Sequence, residues 1–109
     1  MVNVREAIES ADLESFGEGL AQDVVWIGIL PGELCRNREQ VMALLGRARD
    51  RGRRVAPEIV FDREDLLVID PHLEDSERHQ VFVLRNGLVA EMRAYPDREA
   101  AVAAVEALG

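Results

Sequence analysis

The sequence predicts an α+β domain in which helices pack against one face of a curved antiparallel sheet. Three observations predict it. Residues 79–85 and 88–95 are rich in β-branched and apolar side chains and flank Asn86-Gly87, a pair that accepts the positive φ of a tight hairpin turn. Apolar residues recur at three- and four-residue spacing in two opening stretches and again after Asn37. Pro96 is followed by an alanine-rich segment carrying Val102 and Val105, the pattern of a closing helix.

The elements follow in order. Val4, Ala7, Ile8 and Ala11 share one helical face, and Asp12 interrupts it and can cap a second helix carrying Leu13, Phe16 and Leu20. Gly17 and Gly19 weaken that second helix by roughly 1 kcal/mol each relative to alanine. Residues 24–29, Val-Val-Trp-Ile-Gly-Ile, read as a buried strand ended by Pro31-Gly32. Asn37 and Gln40 have capping-box spacing, and Val41, Leu44, Leu45 and Ala48 form the apolar face of a third helix that Gly52 stops. Residues 55–62 and 66–70 read as strands joined by the charged turn Arg63-Glu64-Asp65. The polar loop 71–77 leads into the hairpin, and the last helix starts near Asp97 or Arg98. The chain shows no internal repeat, low-complexity tract or linker, so its 109 residues make one domain.

Composition narrows the function classes. A net charge of −8 disfavours nucleic acid and acidic membrane surfaces, whose binding is driven by neutralising phosphates. No apolar run approaches the roughly 18 residues of a membrane span. The opening Met-Val-Asn-Val-Arg-Glu is charged and lacks a signal-peptide core, so the expected location is the cytoplasm. Cys35 is the one cysteine and cannot form an internal disulfide, in keeping with a reducing compartment. All 13 basic residues are arginine, which leaves no lysine amine for Schiff-base chemistry.

The element order resembles the nuclear transport factor 2-like superfamily, and within it the SnoaL-like, ketosteroid-isomerase-like small domains. The residues that carry the resemblance are Asp12-Leu13-Glu14 between the opening helices, Asp23-Val24-Val25-Trp26 in the first strand and Cys35-Arg36-Asn37-Arg38-Glu39-Gln40-Val41 entering the third helix. Phe82-Val83-Leu84-Arg85-Asn86-Gly87-Leu88-Val89 and Arg93-Ala94-Tyr95-Pro96-Asp97 complete it, so that it spans essentially the whole chain. The resemblance implies a cone-shaped curved sheet wrapped around N-terminal helices, a mostly apolar pocket open at one end, and a homodimer through the outer sheet face. It implies no single reaction, since the superfamily holds isomerases, dehydratases, polyketide cyclase-like enzymes, epoxide hydrolases and non-catalytic binding proteins. The steroid isomerase tyrosine would fall near Val4, its aspartate base near Gly28 and its hydrogen-bond-donating aspartate near Gln80; none of the three is matched. The epoxide hydrolase Asp-Arg-Asp set is not matched either, although Glu91 and Arg93 resemble part of it.

Strand alternation divides the hairpin into two faces. Gln80, Phe82, Leu84, Ala90, Met92 and Ala94 form one, and His79, Val81, Val83, Arg85, Val89, Glu91, Arg93 and Tyr95 the other. The resemblance turns the first set into the cone. Trp26, Gln80, Phe82, Met92 and Ala94 are then the expected pocket lining, with Phe16 and Phe61 as neighbours; the plainer reading makes all of them ordinary core. Gln80 stands apart, because a buried amide needs hydrogen-bond partners and a substrate carbonyl is one.

The catalytic candidates are His79, Gln80 and Glu91. A one-residue slip of the fourth long strand would bring His79 into the pocket beside Glu91 as a general base. Without the slip His79 lies outside, paired with Glu91 or Arg93 or packed at a dimer contact. Asp70, His72, Asp75 and Glu77 are metal-compatible in type but lack a recognised ligand spacing, and a solvated loop explains them, so no metal and no cofactor is expected. Arg47, Arg49, Arg51, Arg53 and Arg54 suit the end of a helix dipole, with an anionic-ligand patch as the alternative. Cys35 precedes a helix, where a thiol pKa can fall, but no histidine partner is evident. Two readings result: a protein that binds a small, largely apolar molecule in the cone, with lyase, isomerase or cyclase-type chemistry unassigned, or a non-catalytic homodimeric interaction module.

Overall fold

A computed structural model describes residues 4–10, 12–28, 32, 34–50, 57–71 and 77–108. The chain runs α1 (Val4–Ser10), α2 (Leu13–Glu18), β1 (Leu20–Ile27), β2 (Leu34–Cys35), α3 (Arg38–Asp50), β3 (Glu58–Asp62), β4 (Leu66–Asp70), β5 (His79–Arg85), β6 (Leu88–Tyr95) and α4 (Arg98–Leu108). The strands form one open sheet in the order β2-β1-β6-β5-β4-β3.

Local chemistry sets the starts of the helices. The Asp12 carboxylate accepts from the Glu14 and Ser15 amides at 3.2 and 3.3 Å, and the Ser15 hydroxyl donates to it at 2.9 Å, holding this carboxyl below its ordinary pKa range. Asn37 accepts from the Gln40 amide at 2.8 Å, while the Gln40 side chain reaches back to the Arg36 amide at 2.7 Å, one residue earlier than a standard capping box. Asp97 caps α4 by accepting from the Ala100 amide at 2.8 Å. Asn86 and Gly87 both take positive φ, 55° and 81°, and close the β5–β6 hairpin.

Three sequence expectations change. The sheet is mixed, because β1 pairs with β6 in parallel while the other neighbours are antiparallel. Turn residues report the sense of consecutive strands only, and β1 meets β6 after a long excursion through α3 and four further strands. Secondly, β1 begins at Leu20: the helix stops at Gly19, whose carbonyl accepts from the Val89 amide at 2.9 Å, so Leu20 already pairs with Val89. Thirdly, helices cover both faces. α1, α2 and α3 pack on the inner face over Leu67, Ile69, Phe82, Leu84, Val89 and Met92, and α4 packs on the outer face over Leu66, Val68 and Val81 through Ala101 and Val105.

Two bulges also move side chains between faces. Val83 pairs with Glu91 and Leu84 with Val89, so Ala90 is the extra residue and Val89 turns into the inner core, fully buried. On β3 the register shifts between Ile59 and Phe61, which leaves Ile59 inside and sends Phe61 to the α4 side. The outer face therefore loses Val89, and α4 buries Val81 to 1% exposure. Of the three valines expected on that surface, only Val83 remains half-exposed.

Candidate functional site

Register alone assembles one row across the inner face. Cys35 on β2 pairs with Trp26 on β1, Trp26 with Met92 on β6, Met92 with Phe82 on β5, and Phe82 with Leu67 on β4. The next row holds Ala94, Gln80, Ile69 and Ile59. The rows differ in how well they are sealed. Met92, Phe82 and Leu67 are buried, as are Leu20, Val24 and Val89 toward the far end, whereas Trp26, Cys35, Ile59, Gln80 and Ala94 are half-buried. Phe16 from α2 closes the sealed part, its ring 5.8 Å from that of Phe82 and tilted by 37°.

One polar contact spans the half-buried part: the Trp26 indole donates to Gln80 Oε1 at 3.2 Å. Trp26 and Gln80 lie on β1 and β5 with β6 between them, about 10 Å of sheet, so the indole crosses β6. Ala94 offers only a methyl beneath that crossing. An indole nitrogen can only donate, which fixes the amide oxygen toward Trp26 and turns the NH2 group away. Among the described residues nothing accepts from that NH2 group. Burial pushes the Cys35 thiol up against an opposing pull from Arg47, so it is a neutral thiol and a poor nucleophile.

The sheet separates the three catalytic candidates. Gln80 is inside, and the strand parity expected from the sequence holds. His79 is on the outer face, 5% exposed and in register with Tyr95. Its Nδ1 donates to the Glu77 carbonyl at 2.6 Å, while Nε2 lies 3.7 Å from an Asp70 carboxylate oxygen and has no hydrogen-bond partner among the described residues. Glu91 is also outside, bonded to the Arg93 guanidinium. Phe61 does not join Phe16, Trp26, Gln80, Phe82, Met92 and Ala94, because the β3 bulge aims it at the α4 side. Sequence reasoning missed Cys35 and Ile59 as neighbours of Trp26 and Gln80; the two-residue strand β2 is too short to leave a periodicity.

The described inner face around Gln80 carries no carboxylate or imidazole, so its described residues supply no general base. His72 and Asp75 lie outside the described residues, and among the described ones no group of three His, Cys, Asp or Glu side chains could hold a metal. Of the arginine cluster, Arg51, Arg53 and Arg54 lie outside the described residues. No described helix is long and apolar enough to cross a membrane.

This arrangement is the nuclear transport factor 2-like fold. No protein-family model and no curated protein matches the chain. Among solved structures, a SnoaL-like protein of unknown function from Burkholderia thailandensis superposes with a TM-score of 0.66 at 17% identity, over 85% of this chain and 87% of that one. A nuclear transport factor 2-like protein of unknown function from Burkholderia pseudomallei gives 0.62 at 16% identity, over 95% and 90%. A protein of ketosteroid isomerase-like fold from Catenulispora acidiphila, solved in complex with trimethylamine, gives 0.59 at 15%, over 93% and 87%. Identities this low establish a shared fold and leave the activity to the chemistry of the site.

Proposed function

We propose that this protein binds a small, largely apolar molecule at the half-open end of its inner sheet face, beside Trp26 and Gln80. The observation that carries the reading is the Trp26–Gln80 hydrogen bond: an indole and an amide meet on an otherwise apolar face that is half-accessible there and sealed beyond Met92 and Phe82. Concave apolar sites with a few placed polar groups are how folds of this kind take up small molecules. Turnover, where it accompanies binding, is of isomerase or cyclase type. Similar structures include one from Sinorhizobium meliloti proposed as a polyketide cyclase and one from Kribbella flavida proposed as a ketosteroid isomerase. The residues around Gln80 support binding more directly than proton abstraction.

A thermal-unfolding screen against small ketones, epoxides, steroids and aromatic polyketide-like compounds, with cationic and anionic controls, tests this. A ligand at one hundred times its dissociation constant adds about 2.7 kcal/mol, which moves the midpoint of a domain this size by roughly 10 °C. Uniform silence from a well-folded protein would count against the cavity. It would favour a non-catalytic homodimer, for which α4 leaves half-buried Val25, Ile27 and Val83 on the outer face around Glu91 and Arg93. Sedimentation showing only monomer at micromolar concentration would remove that second reading.

A further inference from the structure

We propose that His79 and Asp70 form a proton-operated clasp just beyond the last rung of the β4–β5 ladder, closed by a proton on His79 Nε2 and loosened without it. The two strands pair from Leu66 with Val83 to Ile69 with Gln80, and Asp70 and His79 are the next residue on each. Their side chains meet on the outer face, 7% and 19% exposed, so little water separates them. Nδ1 lies 2.6 Å from the Glu77 carbonyl oxygen, which only accepts, so the first proton of the ring is on Nδ1. A neutral ring therefore turns the lone pair of Nε2 toward a carboxylate, acceptor against acceptor. Among the described residues, Nε2 is the one buried side-chain nitrogen or oxygen without a hydrogen-bond partner. A second proton removes the conflict. Nε2 then becomes a donor, and the 3.7 Å to Asp70 closes into a charge-assisted hydrogen bond with a small rotation of either side chain.

The neighbouring elements leave Asp70 as the counter-ion. On β6, Tyr95 is in register with His79 and brings a hydroxyl, and Arg93, two residues before it, is engaged by Glu91. On β3, Glu58 is in register with Asp70 and adds a second negative charge behind it. Glu77 and Arg78 precede the ring in the chain. From α4, Arg98 shares a helical side with Ala101 and Val105 and is exposed. The unfolded chain offers the added proton only water, whereas the folded chain offers it a carboxylate. The stabilisation from the clasp is thus fully present below the ordinary imidazole range, about pH 6.5, and is lost as pH rises above it. Its opening loosens β4 and β5 beside the Ile69–Gln80 rung, so pH sets how firmly that end of the sheet is held, whatever the inner face binds.

The test is urea unfolding of the wild type, Asp70→Asn and His79→Gln at about pH 5.5 and about pH 8, where carboxylates of ordinary acidity stay ionised. On acidification the unfolding constant of the wild type should fall about tenfold relative to either variant, the size of one hydrogen bond to a charged group. Both variants keep His72, the other histidine, so its contribution divides out. A purely structural pair would instead shift stability by the same factor at both pH values. Ring 15N spectra of the wild type give an answer that needs no variant. Both nitrogens of His79 should carry protons at the lower pH. The backbone amides of Ile69, Asp70 and Gln80 should move with the ring's titration, while those of Asn86 and Gly87, past the other end of β5, stay in place. A His79 ring still neutral at about pH 5.5, or equal pH dependence in all three proteins, would overturn the clasp.

Discussion

His79 and Gln80 are neighbours in the chain and lie on opposite faces of β5, and the two faces treat a polar side chain differently. On the outer face α4 closes over the sheet, and His79 is sealed at 5% exposure with one ring nitrogen bonded to a carbonyl and the other facing Asp70 without a hydrogen bond. On the inner face Gln80 is half-accessible, has its oxygen fixed by an indole, and keeps its donors free of described partners. A residue's chemistry alone would favour the histidine as the functional group. Position reverses that preference, because the histidine is sealed and the amide is only half-buried.

The comparison can be broken in two ways. The larger effect concerns the sealed inner rows: Met92→Ala, at a residue 2% exposed between Trp26 and Phe82, should cost about 2–5 kcal/mol in urea unfolding, through lost burial and the void left behind. A cost below about 1 kcal/mol would mean that this part of the inner face is loosely packed and not sealed. The smaller effect concerns the outer face: His79→Gln removes one hydrogen bond and should cost about 1–2 kcal/mol of stability. It should leave the affinity for any ligand found by the thermal screen within about twofold. A large loss of affinity at unchanged stability would put His79 back in contact with the ligand and undo the assignment of faces.

Much of this was legible in the sequence, and the reasons are local. Asn86-Gly87 gave the hairpin because those two residues accept positive φ, and Asp12 and Asn37 gave two helix starts because a capping oxygen must stand at a fixed offset. Alternation put Gln80 and His79 on opposite faces, and the resemblance turned the Gln80 face inward. What escaped were features set by distant partners. The extra residue at Ala90 is invisible as a side-chain pattern, yet it moves Val89 from the outer surface to the core. The shift on β3 does the same to Phe61. The parallel pairing of β1 with β6 and the strand β2 depend on contacts across the sheet, and so does the bond from Trp26 to Gln80, whose donor and acceptor are 54 residues apart.

The most direct measurement follows the one indole N–H in the protein by 15N–1H spectroscopy as camphor or 2-adamantanone is added. Trp26 is the sole tryptophan, so its indole signal is unambiguous, and the Gln80 side-chain amide is assigned by comparison with Gln80→Leu. Both signals should move together along one binding curve, with the His79 backbone amide moving far less. If a ketone binds and the two side-chain signals stay in place, the ligand sits elsewhere and the site assigned to Trp26 and Gln80 is contradicted.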